Sequence, residues 1–192
     1  ADEGMWLLHM LQRINEADMQ KSGLRLSAQD IYDINNASLK DAIVRLNGGS
    51  CTAEVISSQG LVLTNHHCAY GAIQSFSTPE SDYLTDGFWA KSKEQEMHID
   101  DFYVSFLERI DDVTERILAK VNDDMPEAER AAAVAEEIKA IQAEYNEADA
   151  SLSYDVKSMY YGNEYYVFTY RDYNDVRLVA APPESVGTVS YT

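Results

Sequence analysis

At 192 residues, with 45% of positions apolar, the chain can close a sizeable core of its own. Its 33 acidic against 15 basic side chains give a formal net charge of −18, which repels polyanions and excludes nucleic acid and anionic membrane surfaces as partners. No apolar run approaches the length of a membrane span.

The first element is an amphipathic helix over Met5 to Lys21, with Trp6, Leu7, Met10, Leu11, Ile14 and Ala17 at helical spacing and Ser22-Gly23 as its stop. Ser27 and Asp30 have the spacing of a capping box for a short helix ending near Ile34, followed by a loop, Asn35 to Ser38. Ala42 to Leu46 reads as a strand turning at Asn47-Gly48-Gly49. Cys51 to Ser57 and Leu61 to Thr64 read as the two arms of a hairpin closed by Ser58-Gln59-Gly60, and a helical turn follows from Cys68 to Ser75. Thr78 to Glu96 has no clear period, and its aromatics Tyr83, Phe88 and Trp89 read as core filler. Phe102 to Leu107 is a strand, Val113 to Val121 a helix and Pro126 to Tyr145 a longer one. The longer helix carries a narrow apolar stripe of Val134, Ile138, Ile141 and Tyr145, which predicts surface packing as part of an insertion. The chain then returns to β through Leu152 to Val156, a turn at Gly162-Asn163, and strands at Glu164 to Tyr170 and Asp175 to Val179. The tyrosines of this last group read as aromatic cross-strand pairs. The class is α+β, mainly β.

The hairpin concentrates the chemistry. One cysteine, Cys51, opens its first arm, and the other, Cys68, lies just past its second, so antiparallel pairing brings them within bridging distance. A disulfide implies an oxidising compartment; two buried free thiols are the alternative. Of the four histidines, His9 and His98 read as incidental, whereas His66 and His67 are adjacent at a strand's end and should point to opposite faces. Cys51, His66, His67 and Cys68 have the ligand count of a zinc site but not its spacing, so no metal or organic cofactor is expected.

An apolar strand ending in Thr64-Asn65-His66-His67-Cys68, with its cysteine paired to one seventeen residues earlier, resembles the histidine strand of trypsin-like serine proteases. The set Gly48-Gly49-Ser50-Cys51-Thr52, Gly60 to Cys68 and Ile73-Gln74-Ser75 is similar to the bacterial dipeptidyl-peptidase 7/11 family, peptidase family S46. The opening Ala1-Asp2-Glu3-Gly4-Met5-Trp6, the run Asp82 to Ala90 and the run Asp175 to Gly187 extend that likeness over nearly the whole chain. Ala53 and Ala69 stand where that family tends to have glycine, and Thr188 to Thr192 departs from its pattern.

The resemblance implies a partial trypsin-like (chymotrypsin-like) β-barrel with an N-terminal helix and an inserted helical pair at about residues 112–149. It implies that His67, which immediately precedes Cys68, is the general base of a Ser-His-Asp acyl-enzyme mechanism, with His66 in a structural hydrogen-bonding role. The acid is expected after an Asp-Asn-Trp segment following Val186-Gly187, and the serine in a later loop. Neither is among the 192 residues, so the expectation is the N-terminal part of a larger serine dipeptidyl-peptidase, inactive alone. Asp82, Asp86 and Asp175 are available carboxylates, but spacing connects none of them to His67. The expected partners are oligopeptides with a free N-terminus, with room for a homodimeric parent. Ala1 suits the residue after signal-peptidase cleavage, so the expected location is the periplasm or cell surface of a Gram-negative-type bacterium. A non-catalytic interaction module on a degraded trypsin-like fold is the alternative.

Overall fold

The computed structural model of the chain describes residues 8–33, 36–122 and 124–187. The motif Ala1 to Trp6, Leu7 of the first apolar stripe, the helix end at Ile34 and the tail Thr188 to Thr192 lie outside the described residues. The strands are β1 (Ile43–Leu46), β2 (Cys51–Val55), β3 (Val62–Leu63), β4 (Phe88–Trp89), β5 (Met97–His98), β6 (Val104–Asp112), β7 (Ser153–Met159), β8 (Glu164–Tyr173), β9 (Arg177–Leu178) and β10 (Ala180–Ala181). The helices are α1 (Leu11–Ile14), α2 (Glu16–Lys21), α3 (Ala28–Ile31), α4 (His66–Phe76), α5 (Tyr83–Asp86), α6 (Thr114–Leu118), α7 (Glu127–Ala148) and α8 (Glu184–Gly187). The described strand registers are all antiparallel, in keeping with an α+β fold, but the fold is not mainly β: among the described residues helix outweighs strand, because α4 and α7 are long while β3, β4, β5, β9 and β10 are two residues each. No helix among the described residues is long and apolar enough to cross a membrane.

Two compact units form, one from Ala1–Asp41 with Phe106–Asp172, the other from Ala42–Ser105 with Tyr173–Thr192. In the second unit β3, β2 and β1 lie side by side, and β1 continues onto the first residues of β6. Pairing Val44 with Ala53 and Leu46 with Cys51 puts Val44, Leu46 and Ala53 on a buried face. Ile43, Glu54 and Leu63 lie opposite one another on the exposed face. The β1–β2 turn requires its glycines: Gly48 has φ 68, and a Cβ there would stand 2.9 Å from the Tyr103 hydroxyl. Asn47 anchors that turn, its amide donating to the Tyr103 carbonyl (3.0 Å) and its side-chain oxygen accepting from the Tyr103 amide (2.9 Å). A core of Ile73, Leu178 and Ala181, with Tyr83, Leu84, Phe88 and Met97 packed against it, joins α4 to the β4–β10 and β5–β9 pairs. Tyr83 and Phe88 are core residues as expected. Trp89 is not: it is 75% exposed, because its two-residue strand pairs only with β10 and nothing covers its outer face among the described residues.

In the first unit the expected single N-terminal helix is broken. A 3₁₀ turn, Leu8–Met10, leads into α1, and Asn15, at φ −123, separates α1 from α2. Gly23, at φ 106, ends α2 as the Ser22-Gly23 pair predicts. The capping box of α3 is present, Asp30 N–H donating to the Ser27 hydroxyl (3.1 Å) and Ser27 N–H to the Asp30 carboxylate (2.8 Å). The Ser27 N–H first, then the Ser27 hydroxyl, which also donates to the carboxylate (2.7 Å), holds the Asp30 carboxyl below its usual range.

Strands β6, β8 and β7 lie in that order beside α6 and α7. Val113, Ile117, Ile141, Tyr165 and Val167 form the core, with Val134, Ile138 and Tyr145 packed on it. The apolar stripe of α7 is therefore present, but the helix is not merely laid on the surface. Ile141 is 0% exposed, while Val134, Ile138 and Tyr145 of the same stripe are partly buried. Arg116 of α6 bonds Glu137 and Glu144 of α7 (2.7 Å each). The first of those bonds, more than any other influence, holds the Glu137 carboxyl below its usual range.

Across the β7–β8 ladder the tyrosines do not form the expected aromatic pairs. The register sets Tyr165 opposite Ser158, Tyr166 opposite Lys157, Tyr154 opposite Thr169 and Tyr170 opposite Ser153. Tyr154 instead meets Tyr145 of α7, ring centroids 5.3 Å apart and edge to face. Burial, then a bond to Glu164, pushes the Tyr166 phenol far above its usual range.

Candidate active site

The site is built where β3 gives way to α4. Strand β3 is short, pairing Val62 with Val55 and Leu63 with Glu54, and the Thr64 hydroxyl extends the pairing by donating to the Thr52 carbonyl (2.9 Å). Asn65 is the extended N-cap residue of α4 (φ −71, ψ 147), and its carbonyl accepts from Cys68 N–H (3.0 Å). Cys68, in the first turn of α4, is bonded to Cys51 at the start of β2, with the two Cα atoms 6.0 Å apart. The expected disulfide is thus present. It ties the first turn of the helix to the strand paired with β1, so the turn cannot drift from the sheet.

His66 and His67 are accordingly not strand residues pointing to opposite faces. They are the first two residues of α4, where neighbours diverge by about 100°. That angle still separates them. Ala69, Ile73 and Phe76 face the core at helical spacing, and His66 falls on the same stripe, three and seven residues before Ala69 and Ile73. His67 falls with Gly71 and Gln74 on the outer stripe. His66 is half-buried, and His67 is exposed.

A ring nitrogen of His67 lies beside the bridge, with one ligand atom each from Cys51, His67 and Cys68 within 4.8 Å of one another. Because the two sulfurs are bonded to each other, neither is a thiolate, and the four-residue zinc set Cys51-His66-His67-Cys68 does not assemble. The His66 ring packs edge to face near Tyr70, at a centroid distance of 6.1 Å, and its Nε2 is buried without a hydrogen-bond partner among the described residues. The hydrogen-bonding role expected of His66 is not made at that nitrogen; packing holds it.

Of the other carboxylates, Asp86 is exposed at the end of α5, and Asp82 and Asp175 are engaged elsewhere. Asp82 caps α5, accepting from Thr85 N–H (3.1 Å), and the Thr85 hydroxyl first, then that backbone bond, holds its carboxyl below the usual range. Asp175 makes a bidentate pair with Arg177 (2.8 and 3.0 Å) and lies 3.4 Å from His98 Nδ1, with its carboxyl also held low, chiefly by Arg177. His98 is therefore not a bare loop residue. It sits in β5 opposite Arg177 of β9, within an exposed charged cluster.

The residue that sequence reasoning missed is Gly187, the last of α8. A Cβ at that position would stand 2.3 Å from His66 Cδ2 and 2.8 Å from Cγ. The motif Asp175 to Gly187 marked the segment, but 121 positions separate it from His66, and no spacing rule links them.

The peptidase S46 family pattern matches residues 1–189 of the chain. The chain belongs to the peptidase S46 family. Relatives of this S46 chain include a dipeptidyl-peptidase 7 of Capnocytophaga gingivalis, 54% identical over 187 residues. An Asp/Glu-specific dipeptidyl-peptidase of the same organism is 44% identical over 185 residues. Those alignments cover 97% and 96% of this chain but 26% of each relative. The S46 chain thus spans about a quarter of the length of the curated relatives it matches. The crystal structure of Porphyromonas endodontalis DPP11 in complex with the dipeptide Arg-Asp superposes with a TM-score of 0.82 at 39% identity, covering 97% of this chain and 27% of that one.

Proposed function

We propose that this S46 chain supplies the general-base histidine, His67, of a serine-type dipeptidyl aminopeptidase acting on oligopeptides with a free N-terminus. What carries the reading is one observation: His67 is exposed on the first turn of a helix whose next residue is bonded to the sheet. A general base must reach a hydroxyl proton repeatedly from the same place, and a disulfide-held turn meets that need. The antiparallel meander β1–β3 is read as the histidine-bearing part of a partial trypsin-like barrel, with residues 112–149 as its helical insertion. Residues 1–192 are then the N-terminal part of the peptidase domain. The bridge fits the oxidising periplasm or cell surface.

In this mechanism a neutral His67 nitrogen accepts the proton of a serine hydroxyl as that oxygen attacks the carbonyl carbon of the second residue. It then donates the proton to the departing amine, releasing the shortened peptide and leaving the dipeptide esterified to the serine. A water, deprotonated by the same nitrogen, attacks the ester, and the proton returns to the serine oxygen as the dipeptide leaves. The serine, the acid that fixes the imidazole tautomer and the oxyanion donors come from the rest of the parent polypeptide. Asp82 and Asp175, engaged as they are, do not substitute for that acid.

The test is His67→Ala in the full-length protein, assayed with chromogenic dipeptidyl substrates. Turnover should fall by about 10⁴-fold or more, because the triad acts as a unit. The melting temperature should hold, because an exposed side chain is removed. Retained turnover by that variant overturns the reading, and so does dipeptide release by residues 1–192 alone.

A further inference from the structure

Two stretches quoted in the family resemblance, Asp82 to Ala90 and Asp175 to Gly187, have no part in the chemistry above, yet the structure lays them against the histidine helix. Strand β10 pairs with β4, Ala181 opposite Phe88, and Ala90 N–H donates to the Val179 carbonyl (2.8 Å). Gly87, at φ 80, permits a close approach. A Cβ there would stand 2.9 Å from the Ala181 carbonyl oxygen and 2.9 Å from both N and Cδ of Pro183. From Pro183 the chain makes one helical turn, both Val186 N–H and Gly187 N–H donating to the Pro183 carbonyl (2.8 Å each). That turn ends with Gly187 on the His66 ring.

The same segment meets α4 a second time. Leu178 and Ala181 form a buried core with Ile73, seven residues and about two turns from His66 on the same stripe. The helix is thus held at two heights by one segment, through apolar burial at Ile73 and a bare steric contact at His66.

We propose that Ala181–Gly187, braced on Gly87, is a strut that positions the His67 helix through contact between Gly187 and the His66 ring. The inference rests on reading His67 as the general base. Its physical content is the absence of room. Cβ atoms essentially never come within 3.0 Å of another heavy atom across such a contact, and here two ring carbons would be closer, with Nε2 at 3.1 Å. The obstructing atoms include Cγ, at the root of the ring, so the ring cannot swing its far end aside. Its Nε2 end is already buried and makes no hydrogen bond among the described residues that would re-form elsewhere. Any side chain at 187 therefore displaces either α8 or the first turn of α4, and that turn carries His67. A shift of about 1 Å in a catalytic group costs on the order of 10²-fold in rate.

The experiment is a double-mutant cycle in the full-length protein with Gly187→Ala, His66→Ala and the pair, reading kcat, KM and melting temperature. Gly187→Ala should lower kcat by about 10- to 100-fold with KM changed by less than about threefold. His66→Ala removes the obstructing ring, so adding Gly187→Ala to it should lower kcat by no more than about threefold further. Equal kcat losses from Gly187→Ala in both backgrounds overturn the proposal. A loss confined to KM overturns it too, placing the role of Gly187 in substrate binding, as does a lowered melting temperature with kcat of the folded enzyme intact. Failure of the parent reading has a different signature: His67→Ala then retains turnover, whatever the cycle gives.

Discussion

The two units of this chain are held by different means. Around α6, α7 and β8, order comes from volume: Ile117, Ile141 and Val167 are each 0% exposed, and Val134, Ile138 and Tyr145 of α7 pack against them. Around α4 the buried cluster is smaller, Ile73 with Leu178 and Ala181, and the helix is fixed instead by a covalent bridge at Cys68 and a glycine contact at His66. The contrast follows from what each helix must present. A helix that serves only packing can be buried along its stripe, so dispersion and water exclusion suffice. On the proposed reading His67 has to stay exposed, so only the His66 side of that first turn is buried. A disulfide at Cys68 and a steric stop at His66 add to that packing there.

Ile141→Ala tests the packed side first and has the largest expected effect on stability. Deleting a fully buried isoleucine to alanine costs about 2–5 kcal/mol, through lost transfer energy and the cavity left behind. Residue-resolved hydrogen exchange should show faster opening of α6, α7 and β8. Dipeptide release per folded molecule should stay within about twofold of the parent, because no residue of the histidine turn is touched. Slower exchange, or a larger kcat loss than the disulfide variant shows, breaks the comparison.

Removing the bridge, with Cys51→Ser and Cys68→Ser together, should come next. Closing a loop of this size contributes roughly 3 kcal/mol in the chain-entropy account, with a sequence separation of 17. Here the protection lost should be that of β1–β3 and the first turn of α4, and kcat should fall along with stability, because the bridge holds the turn bearing His67. Unchanged kcat in the folded double variant means that the bridge is only a staple.

That asymmetry also explains how much could be seen in the sequence. The bridge was legible because hairpin chemistry is local: Ser58-Gln59-Gly60 closes the arms, and pairing does the rest. The α7 stripe and the α3 capping box were legible for the same reason, each being a pattern within one element. The histidines were half legible. The place before Cys68 singles out His67 as the proposed base, whereas the apolar run ahead of it reads both residues as strand where the structure has helix. Helical spacing from His66 through Ala69 and Ile73 to Phe76, had it been extended back two residues, gives the buried and exposed assignments directly. Gly187 on His66, Gly87 on Pro183 and the pairing of Tyr154 with Tyr145 were not legible, since each joins segments whose approach only the folded chain defines. Trp89 was misread because its strand's isolation is a property of topology.

The smallest expected effect, and one of opposite sign, lies at the β7–β8 turn. Tyr160, Tyr161 and Gly162 have φ of 50, 60 and 85, so two bulky residues occupy the left-handed region that glycine or asparagine normally takes in such a turn. Tyr160 has a contact to offset this, its hydroxyl donating to Met10 Sδ (3.4 Å). Tyr161 is fully exposed. A left-handed conformation costs a residue with a Cβ roughly 1–2 kcal/mol, whereas asparagine tolerates it through local hydrogen bonding. Glycine would relieve the strain too, but it would return up to about 1 kcal/mol through the greater freedom of its unfolded chain. Tyr161→Asn should therefore stabilise the protein by about 0.5–1 kcal/mol, Tyr161→Gly by less, and Tyr160→Asn least, since it also loses the Met10 contact. Denaturant midpoints at constant slope measure the order. If Tyr161→Asn destabilises instead, relief of backbone strain is not the deciding term, and the exposed ring is engaged by another surface in the full-length protein.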